Sequence, residues 1–229
     1  MKKVRFFNSI FLEALDQRII LILESHNEIV KQTNNAYKNQ EIILDKKITE
    51  RLNLLITSKD STTIKYKLRQ LYIVEKYTAQ RTAFITRKST LTTLTSIFEE
   101  FLIELRAILV KELDLLDHEV LKITAPHQIH RVIINNLAIY SKTLNSSWFH
   151  IKEAIDINSN LNKDVETLTN NQKETLLKIK SINQEKLQSG IQIMALTDYE
   201  YHHDLIRAIE VYFVEMNDSI NQRVKKTPQ

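Results

Sequence analysis

The fold is decided by the stretch TLTTLTSIFEEFLIELRAILV, which occupies residues 90–110. Its apolar side chains form two rows that each recur every seven residues, and this spacing places both rows on one side of an α-helix. The rows consist of Leu91, Phe98 and Leu105, and of Leu94, Phe101, Ile108 and Leu115. Three more apolar residues widen this face beyond a two-position zipper, namely Ile97, Leu102 and Leu109. The stretch therefore predicts a central helix that has neighbours on more than one side.

The composition favours helices throughout the chain. The 229 residues include a single Gly and two Pro, whereas strand-rich and α/β folds need Gly for their turns and phosphate loops. The lack of Cys excludes disulfide frameworks, thiolate catalysis and thiolate zinc sites. We predict an all-α antiparallel bundle of about six to seven helices. It is expected to form a single domain over residues 1–229, with an N-terminal helical pair at 1–60 and the bundle core at 61–229.

The apolar spacing in the first half of the chain predicts where helices begin and end. One helix is expected from residue 4 to about residue 32, and a second over residues 42–56, with the polar stretch 32–39 between them. Residues 62–121 contain no Gly or Pro, so they can form one long helix or two. We favour two helices with a kink at residues 87–89, because the surrounding Thr and Ser side chains bond back to the backbone and bend helices.

In the second half, Pro126 suits the first turn of a helix, with Thr124 as its cap. This helix is expected to run to about Leu144, followed by a turn at Asn145–Ser147, a further helix and a short connection at Asn158–Asn162.

The C-terminal region predicts two more helices. The first is expected to stop at Gly190, a natural left-handed cap position. The second starts at the capping box Thr197–Glu200. Its apolar seam consists of Leu205, Ile206, Ile209, Phe213, Met216 and Ile220.

The N-terminal sequence does not predict a signal peptide. Residues Met1–Phe7 are basic and apolar, but Asn8, Glu13 and Asp16 interrupt any apolar region. The longest purely apolar run, Ile19–Leu23, is far shorter than the roughly 18 residues that span a bilayer. We expect a cytoplasmic protein without a transmembrane segment.

Charge is distributed unevenly, with a basic segment at residues 59–88 and an acidic one at 99–119. The basic segment carries eight cations against two acids, and rings alternate with its cations, as a nucleic-acid surface requires. The candidate contacts to nucleic acid are Lys65, Lys67, Arg69, Lys76, Arg81, Arg87 and Lys88. A buried helix stripe with solvated cations explains the same pattern, and we favour it. That stripe would consist of Leu68, Leu71, Tyr72, Ala79 and Phe84.

The order of the C-terminal elements carries a family resemblance. A helix ending in the run Leu176–Gly190 is followed by an extended piece, Ile191–Leu196, and by the capped start of the last helix. This layout resembles the C-terminal half of HEPN domains, helical bundles of bacterial toxin–antitoxin, abortive-infection and restriction systems. The segment Leu94–Leu109 is similar to the early HEPN helix that carries an aromatic residue and a Glu. The resemblance implies a HEPN-like bundle.

The positions that carry catalysis in this family differ here. Catalytic HEPN ribonucleases use an Arg and a His six positions apart, inclusive, to stabilise phosphate charge and move a proton. The resemblance places Gln184 at the Arg position and Ser189, next to Gly190, at the His position. An amide carries no charge, and a Ser without a base does not titrate near neutral pH. Elsewhere in the chain the nearest substitute is Lys122 before His127. The resemblance therefore implies a non-catalytic member.

Two histidine clusters are the remaining candidate sites. His202 and His203 lie with Arg207 in the first turns of the last helix, where a helix start adds the positive potential that a phosphate or RNA contact needs. We favour the interpretation that they are exposed polar residues on a solvated face. His127 and His130, beside Arg131, could present two imidazoles to one metal, but no third ligand follows at a helical interval. No metal site and no small-molecule cofactor are predicted.

These observations lead to one preferred function and two alternatives. We expect a non-catalytic HEPN-like helical module that forms a homodimer or binds a partner protein, with RNA as a further ligand, in a bacterial defence or toxin–antitoxin setting. The first alternative is a metal-independent ribonuclease with an atypical centre at His202, His203 and Arg207. The second is a helical adaptor or a bundle that binds membrane surfaces.

Overall fold

The computed structural model describes the backbone of residues 2–54, 61–161 and 200–226, and the side chains of residues 10–54, 62–160 and 200–224. These residues form five α-helices and a short 3-10 helix at His118–Lys122. The helices are α1 (Lys2–Leu54), α2 (Ser61–Lys111), α3 (Pro126–Leu137), α4 (Lys142–Leu161) and α5 (Glu200–Lys226). Since the described ranges contain no β-strand, the all-α prediction is confirmed. The predicted helix ending at Gly190 lies outside the described residues, so the larger helix count stays a prediction.

Helix α1 is continuous through the polar stretch at residues 32–39, where we expected a break. The polar side chains there bond within the helix instead of interrupting it. Gln32 donates to the Glu28 carboxylate at 3.0 Å, and the Thr33 hydroxyl donates to the Ile29 carbonyl at 2.7 Å. With no Gly or Pro in this stretch, nothing forces the helix to end. The predicted pair of short N-terminal helices is therefore wrong.

Helix α2 is likewise continuous through residues 87–89, so the prediction of two helices is wrong. Four threonines spaced one turn apart donate their hydroxyls to the carbonyls four residues before them, at 2.9 to 3.1 Å. They are Thr78, Thr82, Thr86 and Thr90. This back-bonding satisfies the hydroxyls inside a helical backbone. The helix ends at Lys111, and Asp114 adopts a φ of 50°, so Leu115 does not extend the helical row as expected.

The boundary between α3 and α4 differs from the prediction. Pro126 does occupy the first turn of α3, but the cap residue is Ala125 and not Thr124. The helix stops at Leu137 because Ala138 takes a left-handed conformation with a φ of 43°. The Ser141 hydroxyl then accepts a hydrogen bond from the backbone N–H of Leu144, with an N–O distance of 3.3 Å, and so caps α4. The predicted turn at residues 145–147 and most of the predicted connection at 158–162 therefore lie inside α4.

The described chain divides into two compact units, to both of which α1 and α2 contribute. Unit 1 consists of residues 1–27, 91–159 and 202–229, and unit 2 of residues 28–90 and 160–201. The single-domain organisation stays a prediction.

Unit 1 is built around Phe98 of α2. Its buried ring lies 5.2 Å from the ring of Tyr212, 5.6 Å from that of Phe213 and 6.1 Å from that of Trp148. The two predicted rows of α2 are buried up to Ile108, and the predicted seam of α5 is buried throughout. Both predictions are confirmed.

A polar contact also fixes α4 against α2 in unit 1. The Thr92 hydroxyl donates to the Asn158 side-chain oxygen at 2.7 Å, and the Asn158 amide donates to the Thr95 hydroxyl at 3.1 Å. Because the Asn amide uses both its acceptor and its donor, this clamp fixes the register of the two helices.

In unit 2, α1 and α2 pack antiparallel. The Tyr37 hydroxyl lies 2.9 Å from that of Thr86, and further along the pair the Tyr72 hydroxyl donates to the Asp45 carboxylate. In the described part of this unit, Val30 is fully buried, and Ala79, Ala83 and Phe84 are buried as well.

Among the described helices, none combines the length and the apolar character that crossing a bilayer would require.

The position of Phe98 allows a direct test of the core. We expect Phe98→Ala to lower the free energy of unfolding by about 3–5 kcal/mol, because it removes a fully buried ring and leaves a cavity. The control is Phe149→Ala in α4, whose ring is 70% exposed and whose loss should cost about 0.5 kcal/mol or less. Urea denaturation followed by circular dichroism measures both. Equal losses for the two variants would contradict this description of the core.

Candidate association surface

The structure places the three residues of the candidate catalytic centre in different surroundings. His202 is fully buried in unit 1, whereas Arg207 is exposed. His203 is half-buried, and its Nδ1 atom lies 2.5 Å from the side-chain oxygen of Asn27 in α1. Only His203 and Arg207 therefore share a solvent-accessible side of α5, so the three side chains do not converge on one site.

The second histidine cluster is also separated. His130 is buried, and its ring stacks on that of Trp148 with centroids 4.0 Å apart and an angle of 12° between the planes. Its Nδ1 atom lies 2.9 Å from the hydroxyl of Tyr212. His127 is exposed one turn earlier. The two imidazoles thus face different environments, and within the described parts of the chain no three His, Asp or Glu side chains are grouped to hold a metal ion.

Burial shifts the titration of this core pair in opposite directions. It lowers the pKa of His130 to about 4, since the protonated ring would lose its hydration. It raises the pKa of Tyr212 above its usual value for the same reason. Both side chains are therefore neutral at physiological pH, and their contact is a hydrogen bond between uncharged groups. His130 is a structural residue that links α3 to α5.

A second polar contact in the same unit involves a carboxyl group. The Asn217 amide donates to Asp16, and this bond joins α5 to α1. Partial burial raises the pKa of Asp16 to about 6, against the lowering effect of the bond from Asn217, while the nearby Asp218 and Glu13 raise it further.

The seven candidate nucleic-acid contacts of α2 do not share one face. Lys76 turns toward α1, where its Nζ atom lies 3.4 Å from the Tyr72 hydroxyl and 4.0 Å from the Asp45 carboxylate. The half-buried Lys65 lies on the same side of the helix. Arg69 is exposed at the edge, and Arg87 and Lys88 are half-buried.

Lys67 and Arg81, by contrast, lie on the side of α2 opposite α1, and both are exposed. We call this side the outer face of α2. It consists of Tyr66, Lys67, Gln70, Ile73, Val74, Tyr77 and Arg81, all of them exposed.

The outer face is mostly apolar. Tyr66 is 65% exposed, Ile73 56%, Val74 60% and Tyr77 44%. At a rise of about 1.5 Å per residue the face is roughly 22 Å long, and one turn beyond Arg81 the ring of Phe84 is buried. Contiguous exposed apolar side chains bordered by charges are typical of surfaces that bind another molecule. The outer face is therefore the best candidate for a functional site in the described part of unit 2.

The sequence pattern located this helix but assigned its faces incompletely. Of the predicted buried stripe, Ala79 and Phe84 are buried, Leu68 and Tyr72 are half-buried, and Leu71 is 58% exposed. The predicted stripe does not include Ile73 and Val74, although their spacing from Tyr66 and Tyr77 marks a second apolar row on the opposite side of the helix.

The positions that correspond to the family's catalytic pair, Gln184 and Ser189, lie outside the described residues together with Gly190. Comparison with known proteins gave no family model, no curated protein and no solved structure that matches the chain.

The buried imidazole predicts a specific pH dependence of stability. The pKa of His130 is about 4 in the folded chain and about 6.5 when unfolded, so the unfolded state binds the proton first as the pH falls. The contribution of His130 to stability is therefore present above pH 6.5 and is lost as the pH falls from 6.5 to 4, by up to about 3 kcal/mol. His130→Gln should remove this component, because an amide does not titrate in this range.

Urea denaturation at several pH values between 4 and 7 measures the effect. The matched control is His127→Gln, which replaces an exposed imidazole one turn away and should leave the pH dependence of the free energy of unfolding unchanged. If His130→Gln keeps the slope of the unchanged chain, the buried imidazole does not contribute to the pH dependence of the free energy of unfolding.

Proposed function

We propose that the chain is a non-catalytic, HEPN-like helical module that binds a partner protein through the outer face of α2, in a bacterial defence or toxin–antitoxin setting. The observation that carries the proposal is the exposure of Tyr66, Ile73, Val74 and Tyr77 on one side of a long helix. Exposed apolar side chains in such a row cost free energy in water unless another molecule covers them.

The size of this face indicates what kind of complex it would support. Because these four side chains are only about half exposed, covering them contributes about 3–6 kcal/mol in total. Association itself costs about 4–15 kcal/mol in lost translational and rotational freedom. Because the gain is at best comparable to the cost, the outer face alone would support reversible rather than permanent association.

RNA binding is the second candidate function, since Tyr66 and Tyr77 share the outer face with Lys67 and Arg81. Rings that stack on bases and cations that contact phosphates are the two components of single-strand binding. However, the aliphatic side chains of Ile73 and Val74 lie between the rings, and they cannot stack on bases. They favour a protein partner over RNA.

Two observations argue against the ribonuclease alternative. His202 is fully buried, so it cannot reach a ribose hydroxyl together with Arg207. In addition, the residues at the family's catalytic positions, Gln184 and Ser189, supply neither positive charge nor a titrating group near neutral pH.

The test is site-specific cross-linking in cells that naturally make the protein. A photo-reactive phenylalanine analogue placed at position 73 should capture one discrete partner protein, because this position lies at the centre of the outer face. The matched control places the same analogue at position 42, since Ile42 in α1 is 64% exposed but belongs to a different helix. The position-73 product should be lost when Tyr77→Ala is added.

The alternatives give different products in the same experiment. A product that disappears on ribonuclease treatment supports the RNA function, and a lipid adduct supports a membrane-binding bundle. Identical products from positions 73 and 42 would contradict a role for the outer face.

A further inference from the structure

We infer that the partner presents an acidic amphipathic helix, which lies along the outer face of α2 with its carboxylates beside Lys67 and Arg81. This inference rests on the proposed function and specifies the chemistry of the partner at the same surface. The spacing, the charge and the extent of the outer face each support it.

The spacing of the outer face suits a helix better than a strand or a loop. Tyr66, Gln70, Ile73 and Tyr77 follow one another at intervals of four, three and four residues. These are the intervals at which side chains of one helix fit between those of a second helix packed at a small crossing angle. A partner helix of about four turns would cover the row, given its length of roughly 22 Å.

The charge of the outer face indicates the charge expected on the partner. Lys67 and Arg81 are its charged members, and both are positive. The one acidic residue between positions 62 and 90 is Glu75. It lies on the other side of α2, where it lines a cleft with Leu44 and Ile48 of α1. Carboxylates on a partner helix would therefore meet cations without repulsion from an acid on the same face.

The same charges disfavour a second copy of this chain as the occupant. In a twofold antiparallel pairing centred on Val74, Lys67 of one copy would oppose Arg81 of the other, because the two positions are equally distant from the centre. A parallel pairing would place each cation against itself. Like charges at an interface select against a partner, whereas an acidic helix provides the opposite charge at both ends of the row.

The test uses designed peptides of about 18 residues, with apolar residues at heptad spacing and flanking Glu in one peptide or Lys in the other. Fluorescence anisotropy with the full-length protein measures the dissociation constants. The Glu peptide should bind, and the Lys peptide should bind at least tenfold more weakly. Raising the salt from 50 to 500 mM should weaken binding of the Glu peptide several-fold, because the ion pairs at the rim are screened.

Charge reversal provides the decisive comparison. Lys67→Glu with Arg81→Glu should weaken binding of the Glu peptide at least tenfold and should strengthen binding of the Lys peptide. The matched control is Lys46→Glu in α1, an exposed lysine whose Nζ lies 3.9 Å from the Glu50 carboxylate, and it should change neither affinity. The apolar part is tested by Ile73→Ser, with Ile42→Ser as its control. Circular dichroism should show unchanged helicity for all variants, since the altered side chains are exposed.

The outcomes separate this inference from the function on which it rests. Equal binding of the two peptides, or an equal effect of Lys46→Glu, would overturn the acidic-helix assignment. If a partner protein is still captured at position 73 in cells, protein association would nevertheless stand. Concentration-dependent sedimentation that Ile73→Ser abolishes would identify a second copy as the occupant. Binding of anionic vesicles or of a single-stranded RNA in place of the Glu peptide would overturn the inference and the protein-binding function together.

Discussion

The packing of Phe98 is the interaction on which unit 1 depends. Its ring contacts the rings of Tyr212 and Phe213 in α5 and that of Trp148 in α4, so one side chain of α2 holds two other helices in place. The Asn158 clamp fixes the register of α4 against the same stretch of α2. The apolar rows of helices this long need neighbouring helices to cover them. In unit 1 several helices share this task.

Burial shifts the pKa values of two polar groups in unit 1, His130 and Asp16, in opposite directions. Burial lowers the pKa of His130 and raises that of Asp16, so each group tends toward its uncharged form. Acid destabilises the fold through His130, but it relieves the cost of keeping Asp16 ionised. Since the two titrations overlap between pH 4 and 6, they offset each other over that range. The two bonds, one to Tyr212 and one to Asn217, tie α5 to α3 and to α1.

The sequence was sufficient to predict the buried faces but not the ends of the helices. Seven-residue spacing identified the rows through Phe98 and Phe101, because periodicity follows directly from helical geometry. The polar stretch at 32–39 and the threonines near residue 87 predict breaks, yet threonine hydroxyls in both places donate to carbonyls one turn earlier in the same helix. The end of α3 at Ala138 could not be predicted, since the left-handed conformation there is adopted by Ala and not by Gly, the residue that usually marks such a position in a sequence. For the candidate site, the cations were identified, but the face to which each belongs depends on where α1 packs.

What distinguishes α2 is that its apolar residues lie on two sides in residues 62–81. One side is occupied by α1, through contacts such as that of Tyr72 with Asp45. The other side carries Ile73 and Val74, which the described residues of unit 2 leave exposed. A helix that needed only to pair with α1 would be as stable with polar residues at these positions, because exposed aliphatic side chains contribute little to folding. β-Branched residues are also weaker helix formers than Lys, Glu or Gln. Neither pairing with α1 nor helix propensity explains this row, and the proposed association through the outer face rests on it.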